Sequence, residues 1–448
     1  MSTTLRLGTR GSTLAMRQAA AVKERLENRR FDVELVEVET TGDQITDEAI
    51  HELGKTGAFV RALDEEVLDG DCDAAVHSMK DMPTEMPEDL IVAGVPERAA
   101  PRDVLVTREG TSLMGLPEGA TVGTSSLRRG AQLLAERPDL DVQPLRGNVD
   151  TRVEKLLAPP LVREHERRVE AEADEEVESF AAYDETDGDD EADDQSRSTD
   201  YAKYNKPDDA DDDETGPGTD GDGGDSDDGD GDADDDSEFD RTVEEWFEDL
   251  SELERRALER DPDVEYDAIV LAEAGLERAG LLHHVEHTQL RPDQFVPAPG
   301  QGTLAVTARD GDLADDIRSA LDHAPTRVEA TAERTVLEEL GGGCVAPVGI
   351  YAVLQGSVVR TSVRVLDREG DEEVRETREL PVERHPHAAR EFASDLADDG
   401  AAEIIAQARR RTDEESGAGG ASPDTPDAIE GGDGGEDDED DATGGTDA

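Results

Sequence analysis

Aromatic side chains are scarce in this 448-residue chain: seven Phe, five Tyr and one Trp make up 3% of it. Lysine is scarce too, with six residues against 39 arginines. The only cysteines, Cys72 and Cys344, are too few and too far apart in sequence for a disulfide framework. Neither belongs to a CxxC pair of the metal-holding kind, and no metal is expected. No apolar run approaches the length of a membrane span. The opening MSTTLRLGTRGS has no apolar segment of a signal peptide. A cytoplasmic protein without membrane attachment is expected. Positive charge is short overall, 45 Lys+Arg against 115 Asp+Glu, for a net of −70. A chain this acidic suits nucleic acid poorly, because nucleic acid binding needs basic patches.

The acidity is unevenly spread. Residues 171–240 hold 32 acids and three bases, and residues 412–448 hold 14 acids and no base. The remainder still carries −27. An acidic tail on an ordinary protein would not make the remainder acidic as well. Excess surface carboxylate with little lysine fits a chain that stays soluble at high salt, where the screening length falls to roughly 3 Å.

What is present has an alternating grammar. Leu5-Arg6-Leu7 is strand-like and runs through Gly8-Thr9-Arg10-Gly11 into a helix with Ser12 at its N-cap. Ala15, Ala19, Val22 and Leu26 recur at helical spacing. Phe31–Glu39 reads as a strand, Phe59–Leu68 as a helix and Asp73–His77 as a buried strand. Later, Thr121-Val122 leads into Gly123-Thr124-Ser125-Ser126 and a helix through Leu127, Ala131 and Leu134. Asp141–Leu145 is strand-like, Asn148–Leu157 helical, and Tyr266–Leu271 another buried strand. Two similar parallel or mixed-sheet α/β domains around a cleft follow. From Leu321 a helix, a Gly341-Gly342-Gly343-Cys344 loop, two alternating strands and a closing helix over Ala388–Arg409 read as a small α+β domain. The expected division is 1–99 with 294–314, 100–158 with 265–293, and 315–409. A mostly disordered acidic insertion over 159–264 and a disordered tail over 410–448 interrupt and end it. Thr242–Arg260 is expected to form one short amphipathic helix inside the insertion.

The chemistry centres on arginine. Ser125-Ser126-Leu127-Arg128-Arg129 places two cations in the first turn of a helix, where the macrodipole disfavours them. Either an anion sits in front of them, at free helical N–H groups, or they pair with Asp or Glu, of which the chain has many. Arg10 follows the first Gly-Thr in the equivalent place, and Arg146 and Arg152 flank Gly147-Asn148. No GxxxxGK[ST] loop is present, so nucleotide phosphate is not favoured. Arginine forks suit carboxylates. His77-Ser78-Met79-Lys80-Asp81 ends a buried strand, which puts Lys80 and Asp81 at the mouth of the expected cleft. His77 reads as a satisfied structural residue, and Cys72 as a small buried hydrophobe.

These motifs carry a resemblance. HSMKD, GTSSLRR, LRGNVDTR and the GGGC loop, in that order, resemble the hydroxymethylbilane synthase (porphobilinogen deaminase) family. So do the TRxSxLA opening, DAIVLAEAGLERAG and PGQGTLAV. The resemblance covers residues 5–157 and 265–405. It implies a transferase that condenses four porphobilinogen units head to tail, with loss of ammonia, and then releases linear hydroxymethylbilane by hydrolysis. It also implies one dipyrromethane cofactor per chain, held as a thioether on Cys344. Asp81 matches the catalytic acid, which faces the cation formed as ammonia leaves. Lys80, Thr124, Ser125, Ser126, Arg128 and Arg129 match cofactor-binding positions. Arg10, Ser12, Arg146, Arg152 and Arg278 match substrate-binding positions. The expected enzyme is a monomer of tetrapyrrole biosynthesis. The family's lysine before its mobile loop is Thr56 here, with Lys55 one position earlier. The rival expectation is a non-catalytic anion- or solute-binding module of the same two-domain architecture, which would need neither Asp81 nor a cysteine-bearing third domain.

Overall fold

The computed structural model describes residues 4–29, 31–38, 58–186, 239–341 and 346–418. Cys344, Lys55 and Thr56 lie outside the described residues. Two compact units emerge, Met1–Val149 with Tyr266–Ala448, and Asp150–Glu265.

In the first unit the chain passes through β1 (Thr4–Arg10), β2 (Asp32–Val38), β3 (Ala74–Ser78) and β4 (Leu90–Gly94). It then crosses to β5 (Asp103–Val106), β6 (Thr121–Gly123), β7 (Asp141–Gln143), β8 (Ala268–Ala272) and β9 (His287–Gln289), and returns in β10 (Leu304–Arg309). The two resulting sheets have orders β2-β1-β3-β10-β4 and β7-β6-β8-β5-β9. They share one plan. β1 is parallel to β2 and β3, as β6 is to β7 and β8. Beyond them β10, or β5, runs antiparallel to both its neighbours. The antiparallel strand of each sheet is reached by the chain crossing over from the other sheet.

Side-chain period explains the layers. Leu5, Leu7, Ala74 and Val76 pack with Val22 and Leu26 of α1 (Thr13–Glu27), while the intervening Ala75 faces Leu63 and Val67 of α2 (Ala58–Asp69). Ser12 caps α1, its Oγ accepting from the Ala15 amide. In the second sheet Val122, Ala268 and Val270 pack with Leu133 of α3 (Leu127–Glu136).

The third domain is a small α+β layer. β11 (Val348–Gln355), β12 (Val358–Leu366) and β13 (Glu373–Pro381) form an antiparallel sheet. Ile350 and Val363 of that sheet share a core with Val336, Phe392 and Ile405. β13 escapes a hydrophobic reading because Glu and Arg dominate it. The single closing helix expected over Ala388–Arg409 is two helices, His385–Leu396 and Ala402–Ala418, broken at Gly400 with φ 110°. The second of them runs past residue 409, where a disordered tail was expected to begin. Arg368 pairs with Glu415 at 2.7 Å and helps to hold this extension.

The second unit corrects the insertion. The helix expected to end at Leu157 is α4 (Val149–Thr186), and it continues through Pro159 and Pro160. Interior proline disfavours helix by about 3 kcal/mol, but tertiary contacts on both sides override it. Buried Glu154 is paired with Arg256 and Arg260, at 3.1 and 2.6 Å. Glu172 accepts from the Val243 amide at 2.6 Å, and the Arg168 guanidinium lies over the Trp246 ring. The single helix expected over Thr242–Arg260 is α5 (Val243–Asp249) and α6 (Glu252–Leu258), each with its own capping box, at Thr242/Glu245 and Ser251/Glu254. Ser251 stops one helix by starting the next. Residues 187–238 lie outside the described residues.

Candidate active site

Several of the expected site residues follow directly on the carboxyl ends of parallel strands. Half-buried Arg10 ends β1, and half-buried Ser12 follows it. After β3 comes a 3₁₀ turn, Met79–Asp81, which carries half-buried Lys80 and exposed Asp81. Thr124, Ser125 and Ser126 follow β6, and half-buried Arg146 follows β7. Arg152 belongs to the second unit. His77 is buried, its Nε2 3.0 Å from both Asp64 Oδ1 and Thr307 Oγ1, and so is a satisfied structural residue. Cys72 is a buried free thiol; burial, first, and Glu66, second, push its pKa up.

The polar residues before α3 shape the loop itself. Ser126 caps α3, accepting from the Arg129 amide. Thr124 Oγ1 accepts from the Ser126 amide at 3.2 Å. Ser125 Oγ donates to the Leu145 carbonyl at 2.7 Å and accepts from the Leu145 amide at 3.0 Å. That pair of bonds fixes the backbone immediately before Arg146.

Arg128 and Arg129 do not face solvent. They are 5% and 6% exposed and share one carboxylate, Asp103, which is fully buried. Arg128 Nη2 donates to Asp103 Oδ2 at 2.7 Å, and Arg129 Nη2 to Oδ1 at 2.8 Å. Arg128 Nη1 also donates to the Val296 carbonyl at 2.7 Å, and Arg129 Nη1 to that of Val270 at 3.1 Å. Burial alone would push the Asp103 carboxyl up, but Arg128 and then Arg129 outweigh it and hold it at about 2. Burial pulls the Arg128 guanidinium below its ordinary value, with Asp103 offsetting part of this. The sequence reading left open an anion or an acidic partner for these arginines. A partner exists, and it lies within the fold rather than on the surface. Its signal was an aspartate opening the otherwise apolar stretch Asp103-Val104-Leu105-Val106.

One loop binds the groups together. Gly300 lies against the Asp81 turn: a Cβ there would sit 3.0 Å from Met79 Cγ and 3.3 Å from the Lys80 nitrogen. Gln301 Nε2 donates to Asp103 Oδ1 at 2.9 Å. Gly302, with φ +84°, would bring a Cβ to 2.6 Å from the Ala99 carbonyl oxygen, so only glycine fits. Its carbonyl accepts from Arg278 Nη2 at 2.6 Å. Burial lowers the Arg278 pKa. The third domain joins through Glu333, fully buried, which receives both Nη groups of Arg98 at 2.7 and 3.1 Å. Glu333 also accepts from the Gly300 and Ala352 amides at 2.6 and 2.8 Å.

Two family models match the chain. The porphobilinogen deaminase, dipyromethane cofactor binding domain, covers residues 5–164 and 251–316. The porphobilinogen deaminase, C-terminal domain, covers residues 327–399. The chain belongs to the porphobilinogen deaminase family. A probable porphobilinogen deaminase of Halobacterium salinarum is 58% identical over 410 residues, covering 90% of this chain and 98% of that protein. A porphobilinogen deaminase of Nitratidesulfovibrio vulgaris is 35% identical over 405 residues, covering 89% and 95%. Another relative, from Methanococcoides burtonii, is 31% identical over 404 residues. As a family member the chain is a transferase, a hydroxymethylbilane synthase with a dipyrromethane cofactor. The non-catalytic binding module finds no support. Two mixed-sheet α/β domains and a small α+β domain with a three-stranded sheet are the porphobilinogen deaminase architecture. Among the described residues no helix is long and apolar enough to cross a membrane.

The residues suit a cofactor bearing carboxylates. Two arginines share one aspartate, which leaves formal positive charge. Arg128 Nε is buried and has no hydrogen-bond partner among the described residues, a donor placed for an acceptor from outside the protein.

Removing the shared acid tests the hub. Asp103→Asn strands two buried guanidiniums and is expected to destabilise the fold by about 3–5 kcal/mol at neutral pH. The depressed carboxyl contributes stability that is present above about pH 3.8 and lost as pH falls through its folded value of about 2. The gap between wild type and variant in urea unfolding should therefore narrow as pH falls from 4 to 2. A gap unchanged across that range counts against the charge assignment.

Proposed function

We propose that this hydroxymethylbilane synthase works through Asp81, with Cys344 as the covalent anchor of its dipyrromethane. The observation that carries the reading is the placement of Asp81. It is exposed on a turn closing β3, in the chain's HSMKD motif, and backed by the Gly300 loop. When bound, the dipyrromethane supplies an electron-rich pyrrole carbon on which the product chain is extended.

The protein's own residues do the rest. Arg10, Ser12, Arg146 and Arg278 receive the acetate and propionate groups of porphobilinogen and orient its aminomethyl carbon. Lys80, Thr124, Ser125, Ser126, Arg128 and Arg129 hold the carboxylates of the cofactor. The Asp81 carboxylate accepts the pyrrole N–H of the unit that is losing ammonia. As positive charge spreads into that ring, the carboxylate lies against it and lowers the barrier electrostatically. Holding substrate and acceptor in register supplies the remaining advantage. The working form is a cytoplasmic monomer that takes no nucleic acid and remains soluble at high salt through its carboxylate surface.

Limited substrate tests the reading. A few equivalents of porphobilinogen per chain should raise the intact mass of the protein in steps of one porphobilinogen minus ammonia. The steps should disappear once hydrolysis releases the tetrapyrrole. A mass that never changes during turnover would overturn growth on an anchored chain.

A further inference from the structure

Arg334, like Arg278, is a half-buried arginine whose guanidinium is aimed at main-chain carbonyls, but it lies outside the expected site residues. It lies on the helix Ala324–Glu339 of the third domain, and burial lowers its pKa, with Glu338 offsetting part of the effect. Even so, its guanidinium makes no ion pair within 4.0 Å among the described residues. It is directed at main-chain oxygens. Nη1 donates to the carbonyls of Met79 and Met82, at 3.4 and 3.3 Å, and Nη2 to that of Pro83 at 2.5 Å. These three carbonyls bracket Lys80 and Asp81.

The same helix grips the turn in two further ways. Ala330, four residues earlier and so on the same face, packs with the buried Met79 and Met82 side chains. Glu333, the neighbour of Arg334, holds the Gly300 amide, and Gly300 backs Met79 and Lys80 from another side. Thus the apolar feet of the turn, its supporting loop and its carbonyls are all held from one helix. In sequence that helix leads through Leu340 and Gly341 to Cys344.

We propose that Arg334 is a positioning residue for Asp81. By clamping the carbonyls on both sides of Asp81 it fixes the turn that presents the carboxylate to the reacting pyrrole. The inference rests on the assignment of Asp81 made above. It explains why a cation is buried without a carboxylate: charge-assisted donors grip carbonyls more tightly than neutral ones do. It also explains why arginine serves. Two diverging Nη groups reach three oxygens, whereas an ammonium is a point charge.

The test is a double-mutant cycle in the full chain. Arg334→Gln should lower kcat by about 10²-fold, the scale of an ångström-sized misplacement. KM should stay within about threefold, and the covalent adduct should still appear in the intact mass. Arg334→Lys should recover little of the loss, and millimolar guanidinium should partly rescue Arg334→Ala. In the Asp81→Asn background, removing Arg334 should lower kcat by less than about threefold, because residues that act as a unit are not additive. An equal loss in both backgrounds would mean a general structural role and overturn the proposal. So would wild-type kcat in a folded Arg334→Gln. Should Asp81→Asn itself turn over normally, the assignment of Asp81 fails first and is seen to fail on its own. If Arg334→Gln does not fold, the guanidinium rescue and the lysine variant carry the same decision.

Discussion

Cys344→Ala is expected to give a chain of unmodified mass that turns over no porphobilinogen. A thioether needs the sulfur, and alanine offers no nucleophile in its place. The Cys72 thiol does not substitute: it is buried, and its pKa is raised, which keeps the reactive thiolate rare. The sequence before Cys344, free of side chains, suits a bulky covalent group. Three glycines precede it, and Gly341 has φ +62°, a conformation that side chains rarely adopt. Intact mass is the measurement. Wild type should carry an excess equal to two linked pyrroles, and the variant none. Cys344→Ser should behave like the alanine variant, since an alcohol at that site is a far weaker nucleophile. An unmodified wild type that is nevertheless active would remove the cofactor from Cys344.

Asp81→Asn is expected to keep the adduct and lose about 10²–10³-fold in kcat, the scale on which one preorganised electrostatic contact acts. The amide has the shape of the carboxylate and can still accept a hydrogen bond. What it lacks is negative charge facing a substrate that becomes positive as ammonia departs. The loss should therefore fall on kcat more than on KM. The turn itself is held by Met79, Met82 and the Arg334 fork rather than by the Asp81 side chain. The variant should accordingly fold, and its melting transition should lie close to that of wild type. Near-normal turnover would take Asp81 out of the chemistry and leave the arginine positions to explain the rate alone.

Much of the site was legible because motif and position coincide. The HSMKD run closes a buried strand, and Gly-Thr opens a helix twice, so the sequence alone places the turns bearing Arg10, Asp81 and Ser125. The partners were less legible. Asp103 is 25 residues from Arg128 in sequence and Gln301 is 173 away, and neither shows periodicity. Arg334 reads as one more polar residue on an amphipathic helix. Nothing local says that it points at a turn about 250 residues earlier. The helix through Pro159-Pro160 was also hidden, because proline is read as a stop unless distant residues hold both sides.

By itself the amino-acid sequence determined the order of the elements, the family, the acidic character and the identity of the chemical groups. Period-two and helical spacing act over a few residues, and motifs keep their order along the chain. Only the tertiary structure decided what those groups face. It showed that Arg128 and Arg129 are neutralised in part by a single buried aspartate. It showed that a helix of the third domain holds the Asp81 turn. Such pairings depend on which side chains the crossing of the chain between two sheets buries together. A charge taken out of water must find its counterpart there, however far away in sequence that counterpart lies.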